Sequence, residues 1–173
     1  SAQEESIAQQ EDQLRAEAVV TENSYQDEQI SITVSQYREN NTSIYVADII
    51  LSSTAYLKTA FAQNAYGRNV TATTSEMAQE VGAILAVNGD YYGVQESGYV
   101  IRNGEIYRST ASAGREDLVI YEDGSWGIIS EETVGAQELL ADGAEQVLSF
   151  GPALIVNGEV SVSEKDEVGK AKE

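Results

Sequence analysis

The stretch YVIRNGEIYR, at residues 99–108, decides the fold class. Two short runs rich in β-branched and aromatic residues flank Asn103-Gly104, and Asn-Gly favours the type I′ turn that joins paired antiparallel strands. The pattern recurs around Asp-Gly in LVIYEDGSWGII, at residues 118–129, and around Asn-Gly in ALIVNGEVSV, at residues 153–162. Three predicted hairpins indicate a largely antiparallel sheet.

Upstream of these hairpins, residues 30–51 continue the β pattern. Apolar and polar residues alternate from Ile30 to Ser35, which predicts a half-buried strand. Asn40-Asn41 makes a turn, and a second, more apolar strand follows at residues 43–51. Asp48 interrupts that second strand, either as a paired structural carboxylate or as a site residue pointing into a cleft.

Two short helices complete the predicted elements. Residues 73–76, Thr-Thr-Ser-Glu, match a capping box for a helix that ends at Gly82. Thr133 is predicted to cap a second helix that ends at Gly143. The fold class is therefore α+β: a largely antiparallel or mixed β-sheet with hairpins and a few short helices.

Composition divides the chain into two parts. Residues 1–28 are rich in Glu, Gln and Ala and carry too few apolar residues for a buried face, so we predict an acidic helical or flexible tether. Residues 29–173 are predicted to form one domain. The charged tail at residues 163–173 has no strand signal and is typical of a loop or fraying end.

Charge and residue types exclude several function classes. With 29 acidic and 10 basic residues the net charge is −19, which would repel nucleic acid and anionic membrane surfaces. The chain has no Cys and no His, so it forms no disulfide, no Cys/His zinc site and no Ser-His-Asp triad of its own. Chemistry here uses carboxylates, hydroxyls, amides, Arg, Lys or an oxygen-ligated metal.

The stretch AILAVNGDYYG, at residues 83–93, is the main candidate for a site. Its continuous apolar run predicts a strand buried on both faces, which then presents polar groups at its end. Asp90 suits an acid, a base or a metal ligand, or else a turn aspartate bonded to its own backbone. Tyr91 and Tyr92 suit either stacking on a sugar ring or half-buried packing.

Four motifs in order carry a resemblance to a known family. They are TSEMA at 74–78, AVNGDYYG at 86–93, GYVIRNG at 98–104 and LSFGP at 148–152. This order resembles the phosphodiester glycosidase family, whose mammalian member, an N-acetylglucosamine-1-phosphodiester α-N-acetylglucosaminidase, removes N-acetylglucosamine from a sugar–phosphate–sugar diester. Bacterial members are often exopolysaccharide-related and secreted or surface-anchored. The resemblance covers about residues 44–162 and implies a hydrolase with an extracellular or cell-surface location, its leader or anchor removed.

The sequence departs from the family pattern in one respect. An Arg segment of the type Asn-Pro-Arg-Thr-Ala and a later Asp-Gly-Gly-Gly turn, which the resemblance implies, do not occur in residues 1–173. We therefore expect a domain that is incomplete at its C-terminal end, a fragment inactive by itself, and a site completed from beyond residue 173. A shortened chain, a second chain carrying the C-terminal part, or a diverged non-catalytic relative would each explain the departure.

Hydrolysis of a sugar phosphodiester requires charge stabilisation at the phosphate and either a proton for the leaving oxygen or a nucleophile at the anomeric carbon. The resemblance makes the candidates for catalysis Asp90 and Asn88. The candidates for substrate binding are Arg68, Arg102, Tyr91, Tyr92, Ser149 and Gly151. Arg matches phosphate with paired donors.

Two alternatives stay open. Oxygen ligands such as Asp48 and Asp90 suit Ca²⁺ or Mg²⁺, although no EF-hand loop is present. The chain could also be a non-catalytic surface module that binds cell-wall or capsular glycans through Tyr91 and Tyr92.

Overall fold

The structure is a computed structural model that describes residue 13, residues 17–149 and residues 151–163. The chain divides into two compact units, Ser1–Leu57 and Lys58–Glu173. In the part described, no helix has both the length and the apolar character to cross a membrane.

The first unit is an antiparallel four-stranded meander in the order β1-β2-β3-β4. Its strands are β1 (Val19–Val20), β2 (Ser24–Gln26), β3 (Ile30–Glu39) and β4 (Thr42–Leu51), and a 3-10 turn follows at Thr54–Tyr56. The predicted hairpin of residues 30–51 is confirmed. Asn40 and Asn41 join its strands with φ of 47° and 60°, as a type I′ turn requires.

Burial in this unit is confined to few side chains. Tyr25 and Ile32 are buried, whereas residues 42–50 of β4 are exposed on both faces. The alternation in β3 therefore produces a buried position only at Ile32. Asp48 lies exposed on β4 opposite Thr33, and none of the residues described here forms an ion pair or hydrogen bond with its carboxylate.

Part of the predicted tether is strand in the structure. Strands β1 and β2 lie within residues 1–28, and β2 pairs with β3 through Tyr25 and Ile32. A propensity argument could not see this, because the pairing depends on the partner strand as well as on the segment itself. Residues 1–12 and 14–16 of the predicted tether, and residues 164–173 of the predicted tail, lie outside the described part. The domain boundary after residue 28 stays a prediction.

The second unit is built on a five-stranded antiparallel sheet in the order β6-β5-β9-β7-β8. Its strands are β5 (Val100–Arg102), β6 (Glu105–Arg108), β7 (Glu116–Tyr121), β8 (Trp126–Ser130) and β9 (Ala144–Leu148), and β10 (Ile155–Val156) pairs separately with β11 (Glu159–Val160). All three predicted hairpins are confirmed, and so is the α+β class.

The two helices of this unit are α1 (Thr74–Val81) and α2 (Ala136–Ala141). Helix α1 has the predicted capping box and ends at Gly82, whose φ is 64°. The prediction that Thr133 caps α2 is wrong, since the cap position is Gly135. The Thr133 hydroxyl instead donates to the Ser130 carbonyl at 3.0 Å and closes a turn.

The core of the unit lies between α2 and the sheet. Leu139 packs on Ile101, Val119 and Val147, and each of the four is at most 1 % exposed. Burying side chains of this size contributes roughly 1.5–3 kcal/mol apiece. The core thus fixes the central strands β5, β9 and β7.

The prediction of a buried strand at residues 83–88 is wrong. These residues form no strand, and Val87 is 85 % exposed. An apolar run favours a strand locally, but a strand also needs a neighbouring backbone to pair with, and none of the described segments pairs with this one. A 3-10 turn at Tyr92–Val94 follows the polar residues, and another precedes α1 at Ala62–Asn64.

Candidate functional site

The polar turn at residues 88–92 meets the end of β9 through Asp90. One carboxylate oxygen of Asp90 accepts a hydrogen bond from Arg102 Nη2 at 2.7 Å, and the other accepts the Ser149 backbone N–H at 2.9 Å. The side chains of Asp90 and Arg102 are 2 % and 5 % exposed. Asp90 therefore connects three parts of the chain that are distant in sequence.

Arg102 is fully engaged inside the protein. Besides Asp90, its guanidinium donates to the carbonyls of Ile101 and Val147, and it lies 5.9 Å from the centre of the Tyr92 ring. Its positive charge is balanced by the Asp90 carboxylate. In this arrangement Arg102 positions the turn and does not offer a free charge to a phosphate.

A second buried carboxyl, Asp117, lies on the other side of Ser149. Strands β7 and β9 pair Leu118 with Leu148, so Asp117 and Ser149 are the next residues in register. The Ser149 hydroxyl is 2.5 Å from Asp117 Oδ1. Ser149 is thus held at its backbone by Asp90 and at its side chain by Asp117.

Asp117 is 1 % exposed, and its Oδ2 has no hydrogen-bond partner among the described residues. Burial is the main cause that raises the pKa of Asp117 to about 7, and the charge of the Glu131 carboxyl and a hydrogen bond between the two carboxyls add to the rise. The Ser149 hydrogen bond and the Arg115 charge act in the opposite direction. A carboxyl of this kind changes its charge near neutral pH, which is useful for proton transfer.

Glu131 holds the loops around Asp117. Its carboxylate accepts the backbone N–H of Tyr99 at 2.8 Å and that of Ser112 at 2.6 Å. The Tyr99 hydroxyl donates to the Glu131 carbonyl at 3.2 Å. Glu131 is 3 % exposed, and these backbone donors stabilise its buried carboxylate. Its charge raises the pKa of Asp117.

Ser149 and Arg115 both line two openings in the second unit. The first is a cavity of about 40 Å³, with Asp90, Tyr92, Tyr99 and Arg108 also in its wall. The second is an open cleft of about 680 Å³ that includes Ser112, Ser130, Gly151 and Pro152. The Gly151–Pro152 peptide bond at its edge is cis.

The two arginines of the cavity differ in what they can bind. Arg108 donates to the carbonyls of Gly98, Tyr92 and Gln95 at 2.5–3.0 Å and is occupied by the backbone. The Arg115 guanidinium donates one long hydrogen bond of 3.5 Å to Gln95 Oε1, and no carboxylate of the described part forms an ion pair with it. Arg115 is therefore the cation that this site can offer to an anionic ligand.

One comparison with known proteins decides the family. The sequence profile described as phosphodiester glycosidase matches residues 81–172, just over half of the chain. The chain belongs to the phosphodiester glycosidase family. The match contains β5–β11 and the residues from Asp90 to Ser149, so it confirms the resemblance over this range. Comparison with curated proteins gave no match, and comparison with solved structures gave none.

The structure brings together half of the residues predicted for a phosphodiester glycosidase site. Those assembled around one point are Asp90, Arg102, Tyr92 and Ser149, and Gly151 lies in the adjoining cleft. The Tyr92 ring stacks on Tyr66 at 5.4 Å and burial raises the pKa of its phenol. The Tyr91 side chain lines the same cavity but is 66 % exposed.

Two predicted residues lie elsewhere on the surface. Asn88 is exposed and does not line either opening. Arg68 is exposed and forms a 3.2 Å ion pair with Glu96. Each oxygen of Asp90, the other suggested cation ligand, accepts one hydrogen bond from the protein. No group of three or more acidic residues suited to a metal occurs within the described ranges.

The sequence reasoning missed Asp117, Glu131 and Arg115. A signal for Asp117 existed, since a carboxylate precedes the apolar run LVIY just as Asp48 interrupts its own run. No such signal existed for the register that sets Asp117 beside Ser149, because register depends on the pairing of distant strands.

Proposed function

We propose that the protein hydrolyses sugar-1-phosphodiester linkages, of the sugar–phosphate–sugar type, in glycans or surface polysaccharides. The observation that carries this proposal is the family match over residues 81–172. Membership of a phosphodiester glycosidase family supports glycosidic phosphodiester chemistry in general, and the site geometry supports an anionic substrate at the Ser149 cleft.

The cleft has the groups that such a substrate needs for binding. A phosphodiester carries one negative charge. Arg115 is half-buried, and its guanidinium has N–H donors besides the one that contacts Gln95. Ser149 and Gly151 add a hydroxyl and backbone beside it. The protein as a whole carries a charge of −19, so a local cation is required to hold an anion against this field.

We also propose how the site is completed, what residues 1–173 do alone and where the protein is located. The Arg-containing and Asp-Gly-Gly-Gly segments that the family resemblance implies would complete it from beyond residue 173, on the same polypeptide or on a second chain. Residues 1–173 alone are then expected to bind substrate weakly and to turn none over. The substrate class, a phosphorylated glycan, favours an extracellular or cell-surface location.

A direct assay tests the proposal. The protein encoded by the complete gene is incubated with UDP-N-acetylglucosamine and with sugar–phosphate–sugar diesters, and released sugar is measured by chromatography. Arg115→Gln should lower kcat/KM by about 10- to 100-fold, the loss of a charged hydrogen bond of roughly 1.5–3 kcal/mol. Arg38→Gln is the control, since it removes an equal charge from the β3–β4 hairpin. A folded full-length protein that releases no sugar from any of several diesters would contradict the hydrolase.

A glycan-binding module is the second candidate, and the exposed Tyr91 ring favours it. Aromatic rings at a surface bind sugar faces, and Tyr91 lies next to Tyr92, which belongs to a cluster with Phe61, Tyr66 and Tyr107. Glycan-array binding that Tyr91→Ala abolishes, with no turnover by the full-length protein, would favour the module over the enzyme.

A further inference from the structure

Ser149, directly after β9, is held by the protein at both its backbone and its hydroxyl. Its backbone N–H is fixed by Asp90, its hydroxyl contacts the buried Asp117, and the residue lines both the cavity and the cleft. A hydroxyl with a buried carboxyl behind it and an opening in front of it can pass a proton between the two.

Asp117 has the surroundings of a group that stores a proton. Its side chain is 99 % buried, no N–H or O–H group of the described residues donates to its Oδ2, and a hydrogen bond with the Glu131 carboxyl favours the protonated form. The groups that face it are Glu131 after β8, Ser149 after β9, Tyr99 before β5 and Arg115 just before its own strand β7. Of these, Glu131 favours the protonated form and Arg115 the ionised form.

We propose that Ser149 transfers a proton to the leaving phosphate oxygen of the substrate and that Asp117 is the positioning residue that replaces this proton. The inference rests on the proposed hydrolase and names its proton source. It assigns roles to Asp117 and Glu131, neither of which was predicted from the sequence.

The proposed hydrolysis breaks one bond of the substrate and moves two protons along the relay. The bond between the anomeric carbon and the phosphate oxygen breaks, and its electron pair stays on that oxygen. The oxygen takes the hydrogen of Ser149 Oγ, while Oγ takes the hydrogen that the protonated Asp117 carboxyl carries on Oδ1, the oxygen 2.5 Å from it. Water adds to the anomeric carbon and loses its second proton to solvent. The products are a free sugar and a phosphate monoester, and Asp117 regains a proton through Ser149 when they leave.

The chain offers a matched control for this pair. Ser125 Oγ donates to Asp123 Oδ1 at 2.6 Å, the same kind of bond, but on the exposed turn between β7 and β8. There the hydrogen bonds of Ser125 lower the pKa of Asp123. Ser125→Ala therefore removes a Ser–Asp contact without touching either opening.

The kinetic test uses the full-length protein and a sugar–phosphate–sugar diester. Ser149→Ala should lower kcat by roughly 100-fold or more with little change in KM, Ser149→Thr should restore part of it, and Ser125→Ala should not change it. The wild-type rate should fall as pH rises through about 7, and in Glu131→Gln the fall should occur at lower pH. A pH profile and kcat that Ser149→Ala leaves unchanged would overturn the relay while the hydrolase stands.

A substrate-free measurement separates this inference from the proposed function. Carboxyl ¹³C NMR of the full-length protein without substrate should show Asp117 titrating near pH 7. That signal should be absent in Asp117→Asn and displaced in Ser149→Ala, but unmoved in Ser125→Ala. An Asp117 titration that is the same with and without the Ser149 hydroxyl would overturn the relay, whether or not any sugar is released.

Discussion

The Asp90 carboxylate lies 2.7 Å from the Arg102 guanidinium, and the two side chains are 98 % and 95 % buried. Both residues were predicted to face substrate, yet each is the main charge partner of the other. Since the same Asp90 accepts the Ser149 backbone N–H, the ion pair sets the position of Ser149. Its role in the site is structural support.

Breaking this pair should destabilise the fold. Arg102→Gln leaves the Asp90 charge buried without its partner, which typically costs about 3–5 kcal/mol. Urea denaturation followed by circular dichroism measures the loss. Arg68→Gln, which breaks the exposed ion pair with Glu96, is the control and should change stability by less than about 1 kcal/mol. Equal effects of the two variants would contradict a supporting role for Arg102.

Asp117 should make stability depend on pH with a definite sign. Its pKa is about 7 in the folded protein against an ordinary value of 3.8, so the folded state binds more protons than the unfolded state between these two pH values. The free energy of unfolding that Asp117 contributes therefore falls as pH rises from about 4 to about 7. In thermal unfolding at several pH values, the Tm of Asp117→Asn should rise relative to that of the wild type as pH rises. A constant difference in Tm between the two proteins would show that Asp117 does not titrate in this window.

Gly98→Ala should lose stability through its backbone conformation. Its φ is +98°, and a Cβ there would make only ordinary contacts, at 3.4 Å from Glu131 Oε1 and 3.5 Å from Arg115 Cδ. Gly124 has a similar φ of +87° with open space around it. Both Gly→Ala variants should therefore lose a similar stability of about 1–2 kcal/mol, measured by thermal unfolding. A much larger loss in Gly98→Ala would show that contacts with Glu131 and Arg115 add to the backbone cost.

The contribution of the α1 capping box to the free energy of unfolding should be measurable without disturbing the candidate site. Thr73 accepts the Glu76 backbone N–H, and the Glu76 carboxylate accepts the Thr73 N–H at 2.9 Å. Thr73→Ala should cost about 1 kcal/mol in urea denaturation, whereas Thr71→Ala, in the preceding loop, should be nearly neutral. These bonds lower the pKa of Glu76. The stability that the ionised Glu76 carboxylate provides should therefore be lost as pH falls below the ordinary pKa of a Glu side chain and the carboxylate is protonated.

The elements of this protein could be predicted wherever the signal is local. Asn103-Gly104, Asp123-Gly124 and Asn157-Gly158 each form the turn of a hairpin, because the conformation that these dipeptides favour is set within four residues. The Thr73 box and Gly82 cap succeed for the same reason. The run at residues 83–88 fails because its apolar pattern contains no information on whether another backbone pairs with it.

The sequence by itself therefore determined the α+β class, the hairpins, the charge and the family to which the chain belongs. Only the tertiary structure decided that Asp90 neutralises Arg102 and that Asp117 lies beside Ser149. The physical reason is that strand order and register bring together residues that are 12 and 32 positions apart, and burial then changes their charge states. A carboxylate in a sequence is only a candidate until its neighbours are known.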